Sequence, residues 1–262
     1  MRPQLSVAKF LALALTASIA QSAAADPRPF TFVTDGYAVG KGSAEFEQWA
    51  TWKHHKKEEP GYDRFEFREE LEMGLADNFD LAIYLPNWSY EDSDSRKGTR
   101  YDGVSVEAIY YLTKPTDFVG IALYCEVSIG ETCREFAFEQ KLIIQKDIGP
   151  WVLAYNLIVE TEVEHEGGET HVEGVLEHAF GVSYALSPKL RVGAELVVES
   201  VYEDWSHYEK TEVYAGPNVH YNIGSVFGPK TNWWVTVTPM FQLSDHDDEP
   251  DFAVRVITGI EF

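Results

Sequence analysis

Acidic side chains recur at alternate positions along much of this chain. Glu45 and Glu47, Glu70 and Glu72, and Glu160 and Glu162 are spaced two apart, and Glu66, Glu107, Glu126, Glu139, Glu177 and Glu195 stand in similar settings. A two-residue spacing places such groups on one face of an extended strand. Carboxylates crowded on one face repel unless they are hydrated, protonated or matched by cations. Three chemistries are open to them: an ion-paired structural filling, a passage that concentrates cations, or a divalent metal site. No EF-hand or zinc spacing accompanies them, so no metal or other cofactor is expected.

The elements that must carry these residues are strands. Twelve alternating segments are predicted, over 44-53, 62-75, 79-90, 103-112, 118-129, 134-146, 151-163, 172-186, 190-202, 210-221, 233-243 and 252-262. Most exceed the usual five or six residues of a soluble strand and match the nine to eleven of a tilted strand that crosses a bilayer. Tight turns such as Ala76-Asp77-Asn78 and Ser187-Pro188-Lys189 alternate with longer charged connections at 54-61, 91-102, 164-171, 203-209 and 244-251. Short turns on one side and long loops on the other are the pattern of outer-membrane barrels. The connections at 222-232 and 129-133 depart from it, one long and one short for its side.

Following the alternation separates an apolar face from a polar one. On the last segment Phe252, Val254, Val256, Thr258, Ile260 and Phe262 share a face, opposite Arg255, Gly259 and Glu261. On the apolar face the aromatics gather at strand ends. Phe79, Tyr110, Trp151, Tyr184, Tyr221, Trp233 and Phe262 map to the short-turn end, and Trp52, Phe65, Phe136, Phe241 and Phe252 to the other. Two aromatic girdles around an aliphatic band are what two membrane interfaces select. The fold class expected is therefore all-β, a 12-stranded antiparallel up-and-down transmembrane barrel over 44-262. A periplasmic β-sandwich is the alternative.

Composition excludes other classes. The 262 residues include 21 basic and 43 acidic ones, a formal net charge of -22. A chain this acidic does not track a phosphate backbone, so nucleic acid is not expected as a partner. Mean hydropathy of -0.24 excludes a bundle of membrane helices. Residues 1-25 have the form of a secretory signal: Arg2 and Lys9, an apolar stretch over 10-20, and Ala23-x-Ala25. The stretch 26-43 then reads as a periplasmic N-terminal segment. Export and a barrel together place the protein in the outer membrane of a Gram-negative bacterium, surrounded by outer-membrane lipid.

The ending Val254-x-Val256-x-Thr258-x-Ile260-x-Phe262 resembles the C-terminal assembly signal of bacterial outer-membrane barrels, which implies the barrel assembly machinery as a partner and a role for Phe262 in assembly. The N-terminal third resembles outer-membrane proteins grouped with phenol-degradation (MetA-pathway) transporters. Gly42, Glu45 and Glu47 form a G-x-x-E-x-E opening, Glu70, Glu72, Gly74, Leu75 and Asp77 an E-x-E-x-G-L-x-D strand and turn, and Pro86 ends the next strand. That resemblance implies passage of small compounds, apolar ones among them, across the outer membrane.

Inside such a barrel seventeen acids face the lumen: those named above with Asp80, Glu135, Glu199, Glu212 and Glu261. The inward bases are six: Lys53, Arg64, Arg68, Lys141, Arg191 and Arg255. The functional expectation is a channel or transporter for small molecules that prefers cations. Its alternative is a structural or lipid-organising barrel with a closed lumen. The residues expected to line a passage are Glu45, Glu47, Arg64, Glu66, Arg68, Glu70, Glu107, Glu126, Glu139, Lys141, Glu160, Glu177, Arg191, Glu195 and Arg255. Inward small residues, Ala122 and the glycines at 74, 120, 181, 193, 216 and 259, either leave space or admit aromatic rings from across the barrel. Loops that mix His with carboxylates, at 54-55, 160-173 and 244-249, suit either solvated tips or cation bridges to lipid headgroups.

Gln48, Glu69, Gln140 and His178 interrupt the lipid face, which points to a β-bulge, a local partner or a homo-oligomer interface. His178 and Ser200 raise an enzymatic reading, a lipid hydrolase, but no third residue completes a triad and no catalytic residue is assigned. Cys125 and Cys133 flank one turn on opposite faces, if Ile129 pairs with Thr132, so free thiols are expected.

Overall fold

A computed structural model describes residues 28-262, so the signal expected at 1-25 lies outside the described residues. Twelve strands follow one another: β1 (Ala44–His54), β2 (Asp63–Ala76), β3 (Phe79–Asp92), β4 (Lys97–Thr113), β5 (Gly120–Ile129), β6 (Glu135–Ile148), β7 (Trp151–Glu166), β8 (Glu169–Ala185), β9 (Leu190–Glu203), β10 (His207–Gly224), β11 (Asn232–Gln242) and β12 (Phe252–Glu261). Each pairs antiparallel with its sequence neighbours, and β1 pairs with β12 to close the barrel. Closure leaves no unpaired backbone edge toward lipid, the condition for a sheet to span a membrane. At the seam the register runs from Glu45 opposite Glu261 to His54 opposite Phe252. Ala44 and Phe262 exchange both backbone hydrogen bonds, at 3.0 and 2.9 Å.

The two faces separate as the alternation predicts. Phe46, Leu71, Val106, Leu123, Phe138, Leu153, Phe180 and Val219 stand exposed on the outer wall, where they form the apolar belt. At the outer end the girdle is continuous across the seam: Trp52 stacks on Phe65 and meets Phe252 edge-on, and Phe252 packs on Phe241. Those contacts tie β2, β1, β12 and β11 together at the outer end of the seam between the first and last strands.

Two local features differ from the sequence expectation. Ile129 pairs with Phe136 rather than Thr132, because the β5–β6 turn spans five exposed or half-exposed residues, 130-134. A slip of four positions keeps every side chain on its face while changing its neighbours, so Glu126 now lies opposite Glu139. Cys125 and Cys133 are free and exposed. The charged connections at 91-102, 164-171 and 203-209 are largely strand, with the hairpins continuing outward. The β7–β8 turn is only Gly167-Gly168, both at positive φ, the conformation a two-residue hairpin loop favours.

The larger difference concerns the N-terminus. Residues 28-43 do not lie ahead of the barrel as a periplasmic segment. They run as a strap inside it, through the half nearer the short turns. Phe30 and Val33 are buried there among Val152, Ala154, Ala179, Val197, Met240 and Ala253, and Ala38 packs on Ile109, Tyr111, Ala122, Tyr124 and Ile143. The core of this protein is therefore in the lumen, between strap and wall.

Candidate functional site

The strap has no regular partner strand, so its backbone groups need acceptors and donors from wall side chains. Glu195 on β9 takes three successive N–H groups: Thr31 to Oε1 at 3.0 Å, Phe32 to Oε2 at 2.7 Å and Val33 to Oε2 at 2.9 Å. Thr238 and Asn218 donate to the same carboxylate, at 2.6 and 3.3 Å. Further along, Thr34 N–H donates to Asn156 (2.7 Å), Gly36 N–H to Gln145 (2.8 Å) and Val39 N–H to Asp80 (2.9 Å). Each wall residue is essentially buried. Arg28 at the start of the strap donates to Glu47 at 2.7 Å and lies 3.9 Å from Glu70.

Glycines on the wall make room for this segment. A side chain at Gly181 would strike the Phe30 ring, and one at Gly74 would strike the Gly40 carbonyl. Gly259 similarly lies under Trp234, whose indole N–H donates to Glu45. The space that these glycines offer is occupied, by the strap in two cases and by an indole in the third.

Above the strap the barrel holds a cavity of about 920 Å³ with Thr31 to Asp35 and Tyr37 in its floor. Of the residues expected to line a passage, Arg64, Glu66, Arg68, Glu107, Glu126, Glu139, Lys141, Glu160, Glu177 and Arg255 border this cavity. Glu45, Glu47, Glu70, Arg191 and Glu195 do not. Glu45 and Glu47 are bound to Trp234 and Arg28, Glu70 lies buried beside Arg28, Glu195 holds the strap, and Arg191 bonds Ser183 (3.0 Å) near the short-turn rim. In all, fifteen acids and eight bases line the cavity.

The acids form cross-strand rows. Glu107 lies opposite Glu126, Glu126 opposite Glu139, and Glu139 opposite Glu160. A second row joins Glu177, Glu199 and Glu212 on β8, β9 and β10. Like charges directly opposite are unfavourable unless something offsets them. Some are offset: Arg68 binds Glu126 at 2.8 Å, Lys141 binds Glu139 at 3.1 Å, and Lys210 binds Glu212 at 3.1 Å. Among the described residues Glu160, Glu162, Glu173, Glu177 and Glu199 have no basic partner within 4.0 Å in the ion pairs observed.

Apart from Lys141 and Lys210, which sit among the acids, the bases gather elsewhere on the ring. Lys53 on β1, Arg64 and Arg68 on β2, and Arg255 on β12 occupy one arc. Trp49 holds three guanidiniums near one another, with Arg28 at 4.6 Å, Arg255 at 5.5 Å and Arg68 at 5.6 Å from its ring centre. Arg68 also lies 4.0 Å from the Tyr84 ring, and Arg255 4.1 Å from Phe32 on the strap. Aromatic faces stabilise clustered cations that would otherwise repel.

Sequence reasoning missed the strap, and with it Arg28, Trp49, Gln145, Asn156 and Asn218 as its neighbours. A signal was present: buried amide side chains on inward positions need hydrogen-bond partners, and a solvent-filled lumen would not bury them. Lys210 was also missed, although it shares the inward parity of Glu212 two residues on.

On the lipid face Gln48 and His178 find local partners. Gln48 donates to the carbonyls of Trp49 and Arg68, at 3.0 and 3.2 Å, and Tyr155 hydroxyl meets His178 at 2.8 Å. Glu69, opposite Gln48, sits at a bulge against β3. Ser200 bonds Thr211 at 2.9 Å, so His178 and Ser200 each engage another residue. In the outer loops His54 and His55 bond Asp63 and Asp251, both at 2.8 Å.

Comparison with known proteins agrees with this architecture. The COG4313 outer membrane channel from Pseudomonas putida F1 superposes with a TM-score of 0.61 at 10% identity, over 87% of this chain and 98% of that one. The NanC porin gives 0.52 at 11% identity, over 83% and 98%. At such identity the likeness is one of fold, a bacterial outer-membrane barrel. No curated protein matches the sequence. One family model, DUF6662, described as a family of unknown function, matches residues 22–252.

Proposed function

The chain belongs to the DUF6662 family, and we propose that it is an outer-membrane channel for small hydrophilic solutes, cation-preferring through its carboxylate-rich upper lumen. The observation that carries this reading is the charged cavity of about 920 Å³ inside a closed barrel, with fifteen acids against eight bases on its wall. Excess negative charge within a low-dielectric wall concentrates cations and repels anions. The strap forms the floor, so on this reading it is the constriction that limits flow. The resemblance of 42-86 to phenol-degradation transporters supports passage of small compounds, while the polar wall favours charged or hydrophilic ones.

The same strap favours a second reading, a structural barrel with a closed lumen, because it is held by buried hydrogen bonds on several strands. Planar-bilayer recording separates the two. Reversal potentials in a potassium chloride gradient are expected to show cation preference, stronger at low ionic strength where screening is weak. Anion preference overturns the selectivity. Absence of conductance from both the intact protein and a variant lacking residues 28-39 overturns the channel and leaves the structural barrel.

A further inference from the structure

The cavity's charges are sorted as well as unequal. In a closed ring of twelve strands, β1 and β7 are six positions apart and face each other across the lumen. Lys53, Arg64, Arg68 and Arg255 lie on β12, β1 and β2. Glu160 and Glu162 on β7, Glu173 and Glu177 on β8, and Glu199 on β9 lie on the far side. Arg255 hydrogen-bonds only Thr51 and the Thr31 carbonyl among the described residues, while Arg68 beside it binds Glu126 at 2.8 Å and keeps a buried Nε with no acceptor. The five glutamates have no basic partner among the ion pairs of the described residues. On the basic arc Lys53 and Arg64 pair with Glu66, at 3.0 and 2.9 Å, so Arg255 is the guanidinium of the arc without a carboxylate in the ion pairs of the described residues, and it faces the five glutamates across the cavity.

We propose that this vestibule binds a short zwitterion of peptide-like length, its carboxylate on the Arg255 and Arg68 side and its ammonium on the Glu160 and Glu177 side. Neither a simple cation nor a simple anion satisfies both arcs. The length follows from the barrel. Twelve strands about 4.8 Å apart and tilted by about 40° give a wall-to-wall diameter of roughly 24 Å, and facing side chains reduce the free width to roughly 10 Å. An extended peptide covers about 3.3 to 3.6 Å per residue, so three or four residues span the gap. A cavity of this size is within the range of small-ligand sites. Arginine provides the planar fork that matches a carboxylate. The inference rests on the reading of the lumen as a solute path, and it names the class of solute.

Trp49 and Trp88 border the cavity and provide an optical reporter. Tryptophan fluorescence of the intact barrel in detergent is to be titrated with tetraglycine, N-acetyl-tetraglycine, tetraglycine amide and glycine at low salt. Tetraglycine is expected to bind about tenfold more tightly than either capped form, the equivalent of one further ion pair, and far more tightly than glycine. Arg255→Gln should weaken tetraglycine and its N-acetyl form but not the amide, and Glu160→Gln with Glu177→Gln should do the reverse. The capped peptides on the unaltered protein make the test independent of how any variant folds. Equal binding of the amide and the zwitterion, or no binding of any of the four, overturns the proposal. Binding without conductance would remove the channel reading and keep the site, and conductance without zwitterion preference would remove the site and keep the channel.

Discussion

The lower and upper halves of the lumen are built from the same residue, glutamate on the inner face, and use it differently. Below, Glu195 receives three backbone N–H groups, Glu47 a guanidinium and Glu45 an indole N–H. Above, Glu160, Glu177 and Glu199 face other glutamates or open space. Position on the strand does not distinguish them, since all point inward. The difference lies in the donors that reach them, and the strap supplies most of those. A buried carboxylate with several donors is structural, because its removal strands the donors. One that faces solvent and like charge contributes little to stability and keeps its field for whatever enters the cavity.

Removing a lower carboxylate should therefore have the largest effect. Glu195→Ala leaves the N–H groups of Thr31, Phe32 and Val33 in a buried site without an acceptor. At about 1 to 3 kcal/mol for each stranded group, with partial relaxation, a loss of about 3 to 5 kcal/mol is expected. The shift of the heat-modifiable band on gels should move to clearly lower temperature, and conductance should rise as the strap loosens. An unfolding temperature equal to that of the unaltered chain would sink the structural role given to the lower half.

The upper half should respond with the opposite sign. Glu160→Gln, Glu177→Gln and Glu199→Gln together remove three like charges and strand no ion-pair partner. Stability is expected to stay level or to rise by about 0.5 to 1 kcal/mol, since like-charged cross-strand neighbours are unfavourable. Cation preference measured by reversal potential should fall. A marked loss of stability would show that these carboxylates have structural partners after all, and the two halves would no longer differ.

The contrast itself was only half legible in the sequence. The two-residue period gave strands, faces and girdles, because alternation is a local property and a membrane enforces it strictly. Parity also protected the face assignments from the four-residue slip at Ile129 and Phe136. What parity cannot give is the company a residue keeps. Phe30-Thr31-Phe32-Val33 carries no mark of binding to Glu195, more than 160 positions away. Main-chain donors look alike in every sequence. The inward glycines illustrate the same limit: the sequence leaves Gly181 and Gly74 open between free space and room for rings from across the barrel, and only the fold shows that Phe30 and the Gly40 carbonyl fill it. Amides at Gln145, Asn156 and Asn218 were the available clue, since polar side chains on an inner wall are buried only when something binds them.

The smallest effect should come from charges outside both halves. The loop at 55-62 is joined to the one at 243-251 through Lys57, which binds Asp245 and lies 3.3 Å from Asp247, and through Glu58 N–H, which donates to the Asp247 carbonyl at 3.0 Å. The hydrogen bond and charge of Lys57 hold the Asp245 carboxyl below the usual carboxylate range. Because its folded value is depressed, what the pair contributes is fully present above the unfolded value of about 3.9 and fades only as pH falls through the lower folded one. Nothing should therefore change in this clamp between neutral pH and about pH 5. Both partners are open to solvent and salt, where ion pairs contribute little. Lys57→Ala should leave the unfolding temperature within error and instead raise proteolytic nicking of the 55-62 loop at low salt, an effect that high salt reproduces in the unaltered chain. If Lys57→Ala lowers the unfolding temperature as far as Glu195→Ala does, donors and burial are not what separate structural from spare carboxylates in this barrel.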